Sequence, residues 1–393
     1  LDLELQEYGE MLMQEKRGGI VAIEPATGEI LSLITAPSYD PSLLVGRERS
    51  KNFTRLWYDT INKPLFDRSL LATYPPGSTF KGITGAIALQ EGVIDKTKTI
   101  PCHNGFYYGR HGHMKCHPHR SSLSIVPAIA QSCNTFFAKS YWWTLENYKT
   151  PQEGMNAWNE YLASFGLGDF LGYDLPTGRK GFIPTGEYYN RAYNYPTFRW
   201  SATYTLSNAI GQGEILTTPI QLANMTAVIA NRGWYYTPHV LKDVEGQGSI
   251  DEKFTKKHYS KVDKENFEPI VEGMHNVYKH GTARGSQIPG IEICGKTGTA
   301  ENYTRIDGKR VQLTDHSIFI AFAPKDDPQI AIAVFVENGR WGSRYGARIA
   351  SLMINKYLKG TIDREDLEKW ILENGLEEEY AKEYSGTDFE INQ

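Results

Sequence analysis

The sequence predicts an α+β fold in which β-rich segments near both ends of the chain flank a long helical middle. Two runs of β-branched and aliphatic residues, 19–23 and 30–34, surround a Pro/Gly turn at 25–28, which is the pattern of a β-hairpin. Apolar residues recur at helical spacing through much of the middle of the chain. Similar β-rich runs near the C-terminus lie at 293–299, 318–322 and 330–336.

The composition is that of an ordinary globular protein. With 393 residues, 40% of them hydrophobic and 22% charged, the chain is long enough for one large domain or two modest ones. A net charge of −4 argues against a nucleic-acid-binding protein. No apolar run approaches the roughly 20 residues that cross a bilayer, and no signal-peptide pattern is present. Because position 1 is leucine and not methionine, we expect the chain to be a piece of a longer protein.

The remaining elements follow from the same patterns. Residues 1–17 indicate an amphipathic helix, whereas 36–73 are polar and aromatic with scattered proline and predict an irregular connection. Asp307-Gly308 predicts a hairpin turn between the first two C-terminal strands. Further helices are predicted over 78–92, 132–158 with a break near Pro151, 219–231 and 345–358.

The last 33 residues, 361–393, carry 11 Asp/Glu against 3 Lys/Arg. This charge favours a solvated C-terminal appendage, for which the sequence indicates no function. An apolar set that offers one packing face comprises Leu367, Trp370, Ile371 and Leu376.

A possible nucleophile lies where the rigid turn Pro75-Pro76-Gly77 meets a helix. Ser78 and Lys81 are three residues apart, so both lie on one face of that helix. Small residues follow within the helix and indicate burial, which can lower a lysine pKa from about 10.4 to roughly 7 or 8. A serine beside such an amine is a candidate nucleophile. Taken alone, however, Ser-x-x-Lys is more often a capping serine followed by a solvated lysine.

Two further patterns follow in order, Ser132-Cys133-Asn134 and Lys296-Thr297-Gly298-Thr299. Together with Ser-x-x-Lys they form the set typical of penicillin-binding proteins and class A β-lactamases. The second pattern lies on a predicted strand, where Lys296 offers positive charge and the Thr299 N–H points into a cleft that Gly298 leaves open. Alone, it would indicate only an edge-strand lysine beside a turn glycine. A Gly-x-Gly pattern at 211–213 lacks the lysine and the strand-turn-helix unit of a phosphate loop.

Cysteine and histidine are concentrated between the first two motifs. Three of the four cysteines and five of the ten histidines fall within residues 101–133, a stretch of 33 residues. A Cys3His set suits a closed structural zinc site, which would tie the loop 101–119 to the Ser-x-Asn motif. The alternatives are a Cys102–Cys116 disulfide in an oxidising compartment and a different histidine, from among His111, His113 and His117. The predicted zinc ligands are Cys102, Cys116, His119 and Cys133.

Over residues 1–358 the chain resembles the transpeptidase domain of class B penicillin-binding proteins, most of all the penicillin-binding protein 2 group of cell elongation. The resemblance implies a transpeptidase domain over 1–360, with a five-stranded antiparallel sheet from about 17–36 and 290–358, flanked by helices and joined to an all-helical part. It leaves 361–393 as an acidic tail. Besides the three motifs, the matching segments are 23–31, 36–41, 74–78, 210–213 and 281–283.

The resemblance implies a role for each motif residue in cutting the D-Ala-D-Ala end of a peptidoglycan stem peptide. Ser78 would attack the carbonyl between the two D-alanines, and Lys81 would accept its proton. Ser132 would relay a proton to the leaving D-alanine, and Asn134 would hold Lys81 and the substrate amide. Which group acts as the acylation base is disputed among relatives, which leaves this role of Lys81 the least settled.

The third motif would bind the other end of the substrate. Lys296 and the hydroxyls of Thr297 and Thr299 would hold the terminal carboxylate, while the N–H groups of Ser78 and Thr299 would form the oxyanion hole. An amine from a neighbouring stem would then resolve the acyl-enzyme, and β-lactam antibiotics would leave a slow ester on Ser78.

The same resemblance extends to a metal, a location and partners. Relatives carry zinc beside the active site with a ligand in the middle of the Ser-x-Asn motif, although carboxylates occur there in place of Cys102 and Cys116. Full-length members have a membrane anchor and an N-terminal pedestal that these residues do not include. The family implies a periplasmic catalytic domain at the inner membrane, with a SEDS-family glycan polymerase and elongation-complex proteins as partners. A serine β-lactamase and a non-catalytic β-lactam-binding sensor are the alternatives.

Overall fold

A five-stranded antiparallel sheet forms the centre of the protein, in the order β2-β1-β9-β8-β7. The computed structural model describes residues 1–109, 112–243 and 250–382. The strands are β1 (Gly18–Ile23), β2 (Ile30–Ala36), β3 (Gly105–Tyr108), β4 (Gly112–Lys115), β5 (Trp234–Tyr236), β6 (Lys257–Tyr259), β7 (Cys294–Ile306), β8 (Lys309–Ala323) and β9 (Ile330–Val336).

Helices cover both faces of this sheet, as the apolar character of its central strands requires. Every residue of β9 is buried, and so are residues 318–323 of β8, which a one-sided sheet does not show. The helices are α1 (Leu3–Leu12), α2 (Arg49–Trp57), α3 (Lys81–Gln90), α4 (Ile125–Ala130), α5 (Asn134–Glu146), α6 (Pro151–Ser164), α7 (Gly186–Ala192), α8 (Pro219–Ala230), α9 (Glu252–Thr255), α10 (Glu268–Lys279), α11 (Gly346–Lys359), α12 (Glu365–Glu373) and α13 (Glu377–Tyr380). Helices α1 and α11 pack on one face, and α8 and α10 pack on the other.

The helical part of the molecule is built around α3. Helix α3 packs against α4, α5 and α10, and all of its residues from Lys81 to Leu89 are buried. Helix α8 is buried over its whole length and begins with a capping box between Thr218 and Gln221. Among the described residues, no helix is both long enough and apolar enough to cross a membrane.

The predicted α+β fold and its hairpin turns are confirmed, with differences at the boundaries. Asp307 and Gly308 both have left-handed φ angles, of +50° and +77°, and they join β7 to β8. Both strands extend beyond the predicted segments. The prediction stopped short because the outer halves of the two strands are polar and contain no apolar run. The first helix ends at Leu12 and not at 17, and Glu15 takes a left-handed φ of +57° in the turn that follows.

Two expectations were wrong. The segment 36–73 is not wholly irregular, because it contains α2 and a 3-10 helix, Pro41–Leu44. Phe53, Leu56 and Trp57 recur at helical spacing in α2, although none of its residues is buried. The C-terminal segment was also expected to be a solvated appendage. Its described part, residues 361–382, is not, because α12 packs against α1 and α11. Ile371 is fully buried and Leu367 is 5% exposed. Residues 383–393 lie outside the described residues.

The packing of α12 leads to a stability prediction. Replacing Ile371 by alanine is expected to lower the free energy of unfolding by about 2–5 kcal/mol, because a fully buried side chain leaves a cavity. Urea unfolding measures the change. The matched control is Leu372→Ala on the same helix, where the side chain is 39% exposed and the expected change is within about 0.5 kcal/mol. Equal effects of the two substitutions would contradict the packing.

Candidate active site

Ser78 lies in a 3-10 turn, Gly77–Phe80, that runs directly into α3. Gly77 has a left-handed φ of +57°, and a Cβ on it would come within 2.5 Å of the Thr299 carbonyl oxygen. The turn is therefore pressed against β7 where only glycine fits. The Ser78 side chain is half-buried, and among the described residues its hydroxyl makes no hydrogen bond.

Lys81 is fully buried at the start of α3, in contact with the Ser-x-Asn motif. Its Nζ donates hydrogen bonds to the Ser132 carbonyl at 2.7 Å, to Ser132 Oγ at 3.1 Å and to Asn134 Oδ1 at 2.6 Å. Burial lowers the pKa of Lys81 to about 8, against the opposing charges of Cys133 and Cys116. The neutral amine is therefore a minor form near physiological pH, but a far larger one than an exposed lysine would supply.

Ser132 and Asn134 stand at the start of α5, with Cys133 between them as its N-cap. Ser132 has a left-handed φ of +54°, a conformation that is costly for a non-glycine residue and is found at functional sites. In this conformation both its hydroxyl and its carbonyl contact Lys81. The amide of Asn134 is fixed from the other side, where Nδ2 donates to the Lys115 carbonyl at 2.8 Å.

Lys296 approaches the same hydroxyl from β7. Its Nζ donates to Ser132 Oγ at 2.8 Å and to the Thr297 carbonyl at 3.0 Å. Burial, and then the nearby charge of Lys81, hold the pKa of Lys296 well below its usual value. The hydroxyl of Ser132 therefore lies between two buried amines, where a proton can pass from one to the other.

The rest of the Lys-Thr-Gly-Thr motif faces the Ser78 turn. A Cβ on Gly298 would come within 2.8 Å of Thr79 Cγ2 and 3.0 Å of the Pro76 carbonyl oxygen, so the turn itself requires glycine there. Thr297 Oγ1 is hydrogen-bonded to Thr282 Oγ1 at 2.7 Å. The sequence did not single out Thr282 as a site residue, because a lone threonine 15 positions upstream carries no spacing signal.

The four predicted zinc ligands come together beside this site. The sulfur atoms of Cys102, Cys116 and Cys133 and a ring nitrogen of His119 all lie within 4.8 Å of one another. All three cysteines are buried and free, so the alternative of a Cys102–Cys116 disulfide is wrong. His119 Nδ1 lies 2.7 Å from the Arg120 carbonyl oxygen, which orients Nε2 toward Cys116 Sγ at 3.4 Å.

Hydrogen bonds around Cys116 favour its thiolate. The largest contribution is the hydrogen bond with Cys133; burial opposes it, and further bonds with His117, the Asn134 N–H and His119 add to it. Together they hold the pKa of the Cys116 thiol far below its usual value. A Cys3His set with an oriented imidazole fits a tetrahedral zinc ion.

Of the other candidate histidines, the two that the structure describes, His113 and His117, are not members of the Cys3His set. His113 stacks on Tyr107 across the β3–β4 hairpin, with ring centroids 4.2 Å apart. His117 is exposed, and its ring packs edge-on against His119. His111 lies outside the described residues.

Comparisons with known proteins agree with this geometry. A sequence profile described as the penicillin binding protein transpeptidase domain matches residues 18–358. The chain is 35% identical over 371 residues to the peptidoglycan D,D-transpeptidase MrdA of Acinetobacter baumannii, covering 91% of this chain and 53% of that protein. It therefore spans about half the length of this relative and of the MrdA protein of Escherichia coli.

Solved structures resemble the whole chain. The structure of Pseudomonas aeruginosa PBP2 in complex with WCK 5153 is 31% identical, with a TM-score of 0.78, covering 93% of this chain and 77% of that one. A complex between PBP2 and MreC from Helicobacter pylori is 27% identical, with a TM-score of 0.72 and coverages of 90% and 62%. With its fold, its three motifs and the profile match in agreement, this chain belongs to the penicillin-binding protein transpeptidase family.

Proposed function

We propose that this chain is the catalytic domain of a peptidoglycan D,D-transpeptidase that serves cell elongation and is inhibited by β-lactams. The observation that carries the proposal is the pair of buried amines, Lys81 and Lys296, sharing the hydroxyl of Ser132 beside the Ser78 turn. Such a pair supplies one neutral amine and one proton carrier without any carboxylate, which suits acyl transfer through a serine ester.

In the first half of the proposed reaction, Ser78 Oγ attacks the carbonyl carbon between the last two D-alanines of a stem peptide. Neutral Lys81 takes the Ser78 proton, and the N–H groups of Ser78 and Thr299 stabilise the oxyanion. The peptide C–N bond then breaks. The proton passes from Lys81 through Ser132 to the leaving nitrogen, so D-alanine departs as an amine and Ser78 holds the ester.

The second half reverses these transfers. An amine from a neighbouring stem attacks the ester and loses a proton by the same route, and the Ser78–acyl bond breaks as the cross-link forms. In the first half, before D-alanine departs, Lys296, Thr297 and Thr299 hold the terminal carboxylate of the donor, whose charge compensates the burial of the Lys296 ammonium. A β-lactam would enter as a mimic of the D-Ala-D-Ala end and leave an ester on Ser78.

The transpeptidase is favoured over a serine β-lactamase by the surroundings of the nucleophile. In the described part of the chain, no carboxylate forms a hydrogen bond or ion pair with Ser78, Lys81, Ser132 or Lys296. Fast hydrolysis of the ester needs a base that activates water, whereas an incoming amine needs only the proton route already described.

We assign a structural Zn²⁺ to the Cys3His cluster. Cys102, Cys116, His119 and Cys133 would hold the ion, which would supply no chemistry to the reaction and would cross-link the β3–β4 hairpin to the start of α5. This cross-link supports Asn134, whose N–H donates to Cys116 Sγ at 3.2 Å.

We place the enzyme at the bacterial inner membrane, with this domain in the periplasm. The support is the similarity to MrdA and PBP2 proteins, one of which was solved in complex with MreC. A SEDS-family glycan polymerase and elongation-complex proteins are the partners that fit an elongation transpeptidase.

The pKa of Lys81 sets the expected pH dependence of acylation. Because burial lowers this pKa to about 8, the neutral base is the minor form below pH 8 and the major form above it. Acylation by a penicillin is expected to accelerate about tenfold per pH unit below that value and to level off above it. Stopped-flow or quench-flow rates measure this profile. A rate that stays constant between about pH 6 and pH 9 would contradict the assignment of Lys81 as the base.

The proposed function is tested by intact-protein mass spectrometry over time with a penicillin, followed by peptide mapping. A long-lived adduct on Ser78, together with cross-linked product from donor and acceptor stem peptides, is the expected result. Rapid return to free protein with hydrolysed drug would identify a β-lactamase. A stable adduct without turnover of stem peptides would identify a sensor, and no adduct on folded, metal-replete protein would overturn the assignment of Ser78.

A further inference from the structure

The loop 210–213 bridges the two backbone segments that supply the oxyanion-hole N–H groups. The N–H of Gly77 donates to the Gly211 carbonyl at 2.8 Å, next to the nucleophile. On the other side, Gln212 Nε2 donates to the Thr299 carbonyl at 3.0 Å. We propose that this loop is a brace that fixes the separation of the two N–H groups, with Gln212 as the positioning residue. The inference rests on the proposed function.

The contact with Thr299 controls the direction of its N–H group. In a strand, the N–H and C=O of one residue point to the same side. β7 is an edge strand that pairs only with β8 in the sheet, so the free side of Thr299 faces the cleft. The carbonyl and the N–H of Thr299 belong to adjacent peptide planes that meet at its Cα. By holding the carbonyl, the Gln212 amide restrains the backbone dihedral angles of Thr299 and, through them, the direction of its N–H.

The contact with the Ser78 turn is equally close. Gly211 has a left-handed φ of +68°, and a Cβ on it would come within 2.3 Å of the Gly77 carbonyl oxygen. Thr84 Oγ1, buried within α3, donates to the Ala209 carbonyl at 2.9 Å. The loop is thus attached both to the turn that carries the nucleophile and to the helix behind it.

A buried tyrosine connects the residues on either side of the loop through hydrogen bonds. The hydroxyl of Tyr189 accepts a hydrogen bond from Asn208 Nδ2 at 2.8 Å and donates one to Glu214 Oε2 at 2.6 Å. These two partners flank the loop on either side. Tyr189 is 1% exposed, and burial raises its pKa, so the hydroxyl stays protonated and keeps donating.

The brace would act on the rate of chemistry and not on the binding of substrate. Gln212 has no assigned contact with the donor peptide, so its loss leaves affinity intact. A displaced N–H group, however, stabilises the oxyanion less, and a shift of about 1 Å can cost up to about 100-fold in rate.

The test replaces Gln212 by methionine, which keeps the length of the side chain and removes the donor. A penicillin labelled with ¹³C at the reactive carbonyl acylates each protein, and infrared difference spectra record the ester carbonyl stretch. We expect the acylation rate at saturating penicillin to fall about 10- to 100-fold. The penicillin concentration that gives half of the maximal rate should stay unchanged. The stretch should move to higher wavenumber as polarisation weakens. The matched control is Gln329→Met, because Gln329 is exposed. Its acylation rate and ester carbonyl stretch should equal those of the wild type.

The outcomes separate the brace from the function on which it rests. Acylation of Gln212→Met at the wild-type rate with an unchanged carbonyl stretch would overturn the brace alone. A slower variant with an unshifted stretch and a lowered melting temperature would also overturn it, since only stability would have changed. A wild-type protein that is not acylated would overturn the brace together with the proposed function. Should Gln212→Met not fold, the same readouts on Gln212→Glu decide, because its carboxylate accepts but cannot donate.

Discussion

Replacing Lys81 by methionine is expected to slow the acylation of Ser78 by a penicillin on the order of 10³-fold. Methionine fills the buried space beside Phe137 but offers no base, so the Ser78 proton has no acceptor in reach. We do not expect Lys296 to take over, because it reaches Ser132 from β7, whereas Lys81 follows Ser78 by one turn in the same segment. Adduct formation followed by mass spectrometry gives the rate.

A lysine that is exposed and remote from the motifs provides the control for this experiment. Lys256→Met removes an amine from the surface and should leave the acylation rate unchanged. Circular dichroism establishes that both variants are folded. If Lys81→Met is acylated as fast as wild type, then Lys81 is not the base and the proposed proton route fails.

Removing the metal is expected to lower the melting temperature and the acylation rate together. Protein purified without chelator should contain about one zinc per chain, and Cys133→Ser should lose it, because one of the four ligands is weakened. We expect the melting temperature to fall by at least about 5 °C, which at roughly 2 °C per kcal/mol corresponds to a few kcal/mol. Acylation should slow because Asn134 and Ser132 lose their support.

The fourth cysteine of the chain is the matched control. Cys294 is fully buried in β7 and lies outside the cluster, so Cys294→Ala perturbs a buried thiol without removing a zinc ligand. It should retain the metal by elemental analysis. A wild-type protein without metal, or a Cys133→Ser variant with the full complement, would overturn the zinc assignment.

Much of the fold could be predicted because its buried segments carry periodic apolar patterns. The strand at 330–336 and the helix at 219–231 were placed almost to the residue, since both are buried along their whole length. Helix α2 was missed for the opposite reason. Its rings, such as Phe53 and Trp57, stack on each other in solvent, with 46% and 64% of their surfaces exposed. With no core to pack against, this segment shows helical spacing of apolar residues only once, at positions 53, 56 and 57.

For the site, local spacing gave the motif residues, and the family resemblance gave one contact between them, that of Asn134 with Lys81, which the structure shows. Spacing alone placed Lys81 beside Ser78, whereas its hydrogen bonds go to Ser132 and Asn134, more than 50 positions downstream. The left-handed backbone of Ser132 and the hydrogen bond of Gln212 to Thr299 likewise depend on tertiary packing. The cysteine cluster was predictable because so few other roles bring three cysteines and a histidine together.

The position of β1 between β2 and β9 has a consequence for how the protein folds. Val21 pairs with Leu33 on one side and with Ala333 on the other, so the sheet joins segments more than 300 residues apart in the chain. Contacts between residues so far apart in the sequence form slowly, because the intervening chain must lose conformational entropy before the contacts stabilise it. During synthesis, the β1–β2 hairpin must wait for β9 to emerge from the ribosome. The five-stranded sheet, whose edge strand β7 carries the Lys-Thr-Gly-Thr motif, is therefore complete only after β9 has been made.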